Sequence, residues 1–216
     1  MTKVQEQVVY ELFVKQNAAF SEIMDYDSFL DCLRGASVDE IFEIIVCNRN
    51  ELEEIQTRNI PQFSEKRDMY KALKVLVAAE AGSLSYHDLG YYLCKIDRKA
   101  EAKRKYAENQ YMLAVQMGFA VDGKPLAVTP FGRAFNAIPD ERTKDEIMKR
   151  MCLKVPVIQQ ILLAAQNERV DVVSYLSTYL APSTVLRRRS NIHTFLNWLR
   201  SVSNEGLIAI LNRITW

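Results

Sequence analysis

Three consecutive arginines, Arg187, Arg188 and Arg189, lie in a stretch from Val172 to Asn204 that contains no aspartate or glutamate. Guanidinium groups neutralise phosphates and bind the O6/N7 edge of guanine, so cations without carboxylates to absorb them point to a polyanionic partner. Ser183 and Thr184 follow Pro182, where a helix would open, and can donate to a phosphate beside the free backbone N–H groups. Asn191 and His193 come later in the segment, asparagine being the side chain that pairs with adenine. A second basic cluster lies upstream. From Lys95 to Lys105, six basic residues (Lys95, Arg98, Lys99, Lys103, Arg104 and Lys105) meet two acidic ones, Asp97 and Glu101. Lys99, Lys103 and Tyr106 have the i, i+4, i+7 spacing of one helix face, with Asn109 beyond them. The candidate DNA-contacting residues are therefore Arg98, Lys99, Lys103, Arg104, Tyr106 and Asn109 in one cluster. In the other they are Ser183, Thr184, Arg187, Arg188, Arg189, Asn191 and His193.

The charge distribution agrees with that reading. Residues 1–66 carry 6 Lys/Arg against 13 Asp/Glu, net −7, while residues 67–216 carry 22 against 14, net +8. Such a division within a chain of net charge +1 marks the basic part as the candidate nucleic-acid surface. The acidic part is then expected to be a dimer or partner-enzyme contact. A hydrophobic content of 49% over 216 residues supports a real core, and with only 7 Gly and 6 Pro, helices with short joints are favoured. Charges interrupt every N-terminal apolar run, and no segment reaches the roughly 18 to 20 apolar residues of a membrane span, so a cytoplasmic location is expected. Cys32, Cys47, Cys94 and Cys152 are widely spaced, without a C-x-x-C, and read as reduced, mostly buried thiols.

The elements that must hold these residues follow from spacing and caps. Residues 1–66 read as a small acidic helical section, with helices from Val4, Asp27 and Ser37. From Arg67, Tyr70, Leu73, Leu76 and Val77 mark a helix ended by Gly82. Ser85 caps a second, and a third runs from about Lys99 to Met117 before Gly118. The apolar runs FAV and LAV around Asp122, Gly123 and Lys124 then predict a hairpin, and Thr-Pro-Phe-Gly (129–132) closes the segment. The order repeats: a helix over Val155–Asn167, a short one capped by Asp171, a third from Pro182 to about Val202, and after Gly206 a hydrophobic strand over LIAIL and then NRITW, a short or incomplete second wing. On the long third helix, Leu186, Ile192, Phe195, Leu196 and Leu199, with Trp198, form the expected buried stripe. The fold class expected is mainly α, a small N-terminal helical section followed by two winged helix-turn-helix units with short β-wings. Its parts are residues 1–66, 67–150 and 151–216.

The strings AENQYMLAVQMGFAVDGKPLAVTPFGRAF and STVLRRRSNIHTFLNWL resemble winged-helix DNA-recognition domains associated with restriction endonucleases and related bacterial and phage defence proteins. The resemblance covers roughly residues 67–202. It rests on a long helix ending in a hydrophobic-Gly-hydrophobic step, a T-P-x-G after the wing, and an S-T-x-x-R-R helix. The chain departs from it with Phe195 where tryptophan is common, and keeps Trp198. It implies the recognition component, or a regulator, of a restriction or defence system. No PD-(D/E)xK strand pair, zinc signature, phosphate loop or nucleophile elbow is found, and no cofactor is expected. Two alternatives remain open at this point: a restriction endonuclease with an unrecognised metal site, and a winged-helix scaffold that binds protein.

Overall fold

The computed structural model describes Ile55–Trp216 other than residues 61, 64, 65, 80, 81 and 96. The helices expected before residue 55, with most of the acidic section, lie outside the described residues. What is described is mainly helical, and none of its helices is long and apolar enough to cross a membrane. It forms two compact units, residues 61–141 and residues 142–216 together with 55–60.

The first unit opens with α1 (Lys66–Ala78), which buries Met69, Ala72, Leu73 and Leu76 at i, i+3, i+4, i+7. This stripe is turned slightly from the expected one, leaving Tyr70 and Val77 half-buried at its edge. Ser85 caps α2 (Tyr86–Leu93) through a capping box: its hydroxyl accepts the Asp88 N–H at 3.3 Å, and the Asp88 carboxylate accepts the Ser85 N–H at 2.8 Å. The Ser85 hydroxyl also donates to the Asp88 carboxylate at 2.6 Å, and that bond, with the one from the Ser85 N–H, holds the Asp88 carboxyl below its usual range. The long helix α3 (Ala100–Gln116) stops at Gly118, whose φ of +76° is a left-handed conformation suited to glycine.

Helices α2 and α3 touch at Gly90. A Cβ there would stand 2.6 Å from the carbonyl oxygen of Lys103, a backbone atom that cannot rotate away. In an exposed helix Gly→Ala stabilises by roughly 0.5–1 kcal/mol. Here the sign should reverse: Gly90→Ala is expected to cost about 1–3 kcal/mol in urea unfolding through overpacking. An unchanged or raised midpoint would refute so close an approach.

The hairpin expected after α3 is reduced to a single antiparallel bridge, Ala120↔Val128. The reason is a side chain. The Val121 N–H reaches the Ala127 carbonyl at 2.9 Å, as in a ladder. The return bond is replaced by the Tyr111 hydroxyl, which accepts the Ala127 N–H at 2.9 Å and donates to the Val121 carbonyl at 2.7 Å. Thr-Pro-Phe-Gly, expected only to close the segment, opens an additional helix, α4 (Pro130–Ala137). Its N-cap Thr129 accepts the Gly132 N–H at 2.9 Å and donates to the Gly118 carbonyl at 2.8 Å. Phe119 and Phe135, stacked with centroids 4.2 Å apart, join this corner to the core.

The second unit runs through α5 (Glu141–Arg150), a 3-10 turn (Met151–Lys154) and α6 (Pro156–Ala165). It continues with β1 (Val170–Asp171), α7 (Val172–Ser177), α8 (Pro182–Arg200), α9 (Glu205–Leu211) and β2 (Ile214–Thr215). Helix α6 is apolar around most of its circumference and central, with Val157, Ile158, Ile161, Leu162 and Ala165 buried. Its buried Gln159 is satisfied by donating to the Leu153 carbonyl at 2.7 Å. Strands β1 and β2 pair in parallel, Val170 opposite Ile214 and Asp171 opposite Thr215. Of the strand expected over LIAIL and NRITW, LIAIL is instead part of α9, while β2 lies within NRITW. A short apolar run is ambiguous by periodicity, and here Leu207 and Leu211, spaced i, i+4, pack against α6 and α8.

Candidate nucleic-acid interface

In the second unit, α7 and α8 pack on each other across the four-residue turn Thr178–Ala181. The Asp171 carboxylate accepts the Ser174 N–H at 2.8 Å and caps α7 as expected, which holds its carboxyl below the usual range. Pro182 occupies the first turn of α8, and Ala181 supplies no side-chain cap. Pro182 has no N–H and the Thr184 N–H donates to the Ala181 carbonyl at 2.8 Å, so the Ser183 N–H is the first-turn donor left at the positive end of this 19-residue helix.

The buried stripe of α8 is Val185, Ile192, Phe195, Leu196 and Leu199. Leu186, expected in it, is instead 61% exposed, because Val185 is the residue in register with Ile192 and Leu199 at seven-residue intervals. Trp198, expected to be buried, is half-buried and sets its ring edge-on to Phe195 with centroids 5.8 Å apart. Ser183, Arg187, Arg189 and His193 are exposed and Thr184 half-buried, while Asn191, expected to face outward, is buried.

The three arginines therefore diverge. Arg187 and Arg189 project from the surface and have no carboxylate partner among the described residues. Arg188 lies three residues after Val185 and four before Ile192, on the edge of the buried stripe. Its Nε and Nη1 are shut off from solvent and find no hydrogen-bond acceptor. Burial, with the Arg187 charge beside it, holds its guanidinium below the ordinary range. An anion arriving at this end of α8 meets Arg187 and Arg189 at the surface, with Arg188 half-enclosed between them and the Asp171 carboxylate, already engaged in capping α7, near enough to Arg189 for its charge to be felt. Arg200 differs, donating to the last carbonyl of α9, Leu211 O, at 2.9 Å.

Sequence reasoning missed Trp216. The parallel pairing of β2 carries it back to α8, where its ring meets His193 at 5.3 Å and the Arg189 guanidinium at 5.4 Å. With Leu186, Ser190 and Thr194 these side chains line an open groove of about 510 Å³ along the exposed face of α8. Nothing local signals that return, but exposed Leu186 was legible: Ser190, His193 and Asn197 continue its face at i+4, i+7 and i+11, and all are polar.

The expected reader face of α3 in the first unit is largely taken up inside the protein. Lys103 is 4% exposed because it begins the buried series Ala107, Gln110 and Ala114, and its ammonium lies 4.5 Å from the Tyr91 ring centroid. Arg104 is gripped by Glu101 at 2.6 Å and Glu108 at 3.3 Å, and Lys105 pairs with Glu108 at 3.0 Å. Glu108, one turn beyond the cluster, is the residue whose charge the sequence reading did not weigh. The Tyr106 hydroxyl donates to Asp68, and burial together with that carboxylate pushes its phenol above the ordinary range. Asn109 is half-buried, while Arg98 and Lys99 remain exposed.

Cys94 is half-buried and Cys152 buried, both as free thiols, with burial pushing the Cys152 thiol up. Cys32 and Cys47 lie outside the described residues. Among the described residues no three His, Cys, Asp or Glu side chains gather as a metal site. No family model, curated protein or solved structure matches the chain.

Proposed function

We propose that the chain binds double-stranded DNA through the second unit, with α7 and α8 acting as a helix-turn-helix and the first half of α8 lying in the major groove. The observation that carries this reading is the pair Arg187 and Arg189, exposed, without a salt bridge among the described residues and flanking a desolvated Arg188, in a stretch without a single carboxylate from Val172 to Asn204. In this reading the hydroxyl and N–H of Ser183 hold a phosphate, Arg187 and Arg189 contact phosphate or guanine, and His193 beside Trp216 faces the groove floor. β2, which brings Trp216 to this face, serves in place of a full wing. Recognition within a restriction or defence system is the biological setting that fits, and it rests on the resemblance of the α8 sequence.

Fluorescence anisotropy of a labelled duplex, titrated at several salt concentrations, tests the proposal. With Arg187 and Arg189 each neutralising one phosphate, the slope of log K against log salt is about −1.8, so a fourfold rise in salt weakens binding by about tenfold. Affinity independent of salt, or no duplex binding even at low salt, would rule the reading out.

A further inference from the structure

The corner of the first unit where α2 meets α3 presents rings and cations together. Tyr91 and Tyr92, at the end of α2, are 61% and 67% exposed, more than any other large apolar side chain of that unit. Lys103 covers one face of Tyr91, whereas the Tyr92 ring has neither an aromatic nor a cationic neighbour among the described residues. Consecutive helical residues point about 100° apart, so the two rings offer separate surfaces. Just beyond them Lys95, Arg98 and Lys99 are exposed and have no carboxylate partner among the described residues, in contrast to Arg104 and Lys105 on the next turn of α3. Asp97 is the single acidic residue in that loop. Arg98 is held in place, its guanidinium 4.8 Å over the Tyr106 ring and its Nη1 3.6 Å from Cys94 Sγ. It lines a hollow of about 410 Å³ with Leu93, Cys94, Lys95, Asp97 and Tyr106. Because Lys103 sits over Tyr91 and Lys99 lies one turn before Lys103, this cationic end of α3 adjoins the tyrosines.

We propose that this corner is a binding site for single-stranded nucleic acid, in which Tyr92, and secondarily Tyr91, stack unpaired bases while Lys95, Arg98 and Lys99 hold the phosphates. The corner matches both halves of such a ligand, cations for the phosphates and rings for unpaired base faces, whereas a duplex offers the cations its phosphates but keeps its base faces stacked. Stacking on an exposed ring is tolerant of sequence, since every base has a π-face, so the site takes strands of many sequences. The inference does not depend on duplex recognition by α8.

The test is anisotropy with a labelled oligothymidine of about 20 nucleotides, long enough for a single-strand site and free of secondary structure. Tyr91→Ala with Tyr92→Ala is expected to weaken its binding by about tenfold or more, and Lys95→Gln with Lys99→Gln to weaken it and flatten its salt dependence. Tyr92→Phe, which keeps the ring face, should retain wild-type affinity. Tyr92, Lys95 and Lys99 are exposed, so their variants should keep the wild-type circular dichroism and melt. Tyr91→Ala also uncovers Lys103, so Tyr92→Ala alone, expected to weaken binding without lowering the melt, separates stacking from stability. Arg187→Ala with Arg189→Ala should leave oligothymidine binding intact, which separates failure of this site from failure of the duplex reading. The proposal is overturned if the wild type does not bind oligothymidine at low salt, or if the double tyrosine variant binds it within about twofold of wild type. It is also overturned if polyphosphate, a polyanion without bases, displaces the strand equally from wild type and tyrosine variant, or if the α8 arginine variant loses oligothymidine binding too.

Discussion

Arg187→Ala combined with Arg189→Ala is expected to weaken duplex DNA binding by more than about tenfold, each lost phosphate or guanine contact being worth on the order of 1 to 3 kcal/mol. The folded state should hardly notice. Neither arginine has a salt bridge among the described residues to break, and what Arg189 forfeits is its contact with the Trp216 ring, 5.4 Å away, and a longer-range attraction to the Asp171 carboxylate. Arg188 needs its own variant, because a charge on the edge of the buried stripe acts on stability as well as binding. Anisotropy with duplex DNA gives the first quantity and a thermal melt the second. Normal binding by a stably folded double variant would remove α8 as the DNA-contacting element.

Phe195→Ala is expected to cost about 3–5 kcal/mol in denaturant unfolding, the usual penalty for deleting a fully enclosed aromatic side chain. Phe195 has no exposed surface and sits midway along the stripe that joins α8 to the rest of the second unit. Trp198→Ala should cost clearly less, although the ring is larger. It is only half-buried and meets Phe195 edge-on, so part of its surface is wet in both the native and unfolded states. Equal penalties for the two variants would mean that the stripe of α8 is turned toward Trp198.

Local chemistry made much of the framework legible. Ser85 and Asp171 were identified as caps from residue type alone, and both accept the N–H three residues on, because a cap is a bond between near neighbours in the chain. Gly118 stops α3 for an equally local reason, its φ of +76°. The hairpin at Asp122-Gly123 was overestimated because a turn signal says nothing of what lies beside the arms, and the Tyr111 hydroxyl, from the middle of α3, takes one of its ladder bonds. The face of α3 was misjudged because a count of cations ignores which of them a helix turns inward and which a carboxylate one turn away will hold. Lys103 and Arg104 are those two cases.

What the amino-acid sequence determined by itself is what depends on neighbours within a turn or two. That covers the helical character of the described residues, the caps of α2 and α7, the stop of α3 at Gly118, the opening of α8 at Pro182, and the concentration of arginine without carboxylate between Val172 and Asn204. Tertiary structure decided which of those arginines stand free. It set the stripe of α8 on Val185 instead of Leu186, left Arg188 half-enclosed and turned Asn191 inward. It also made LIAIL a helix and, through pairing of β2 with β1 across more than forty residues of sequence, brought Trp216 against Arg189 and His193. The physical reason is that a helix has many possible faces of similar apolar content, differing by a single-residue rotation. The choice among them is made by the volume and shape of whatever packs against the helix, which no local spacing encodes.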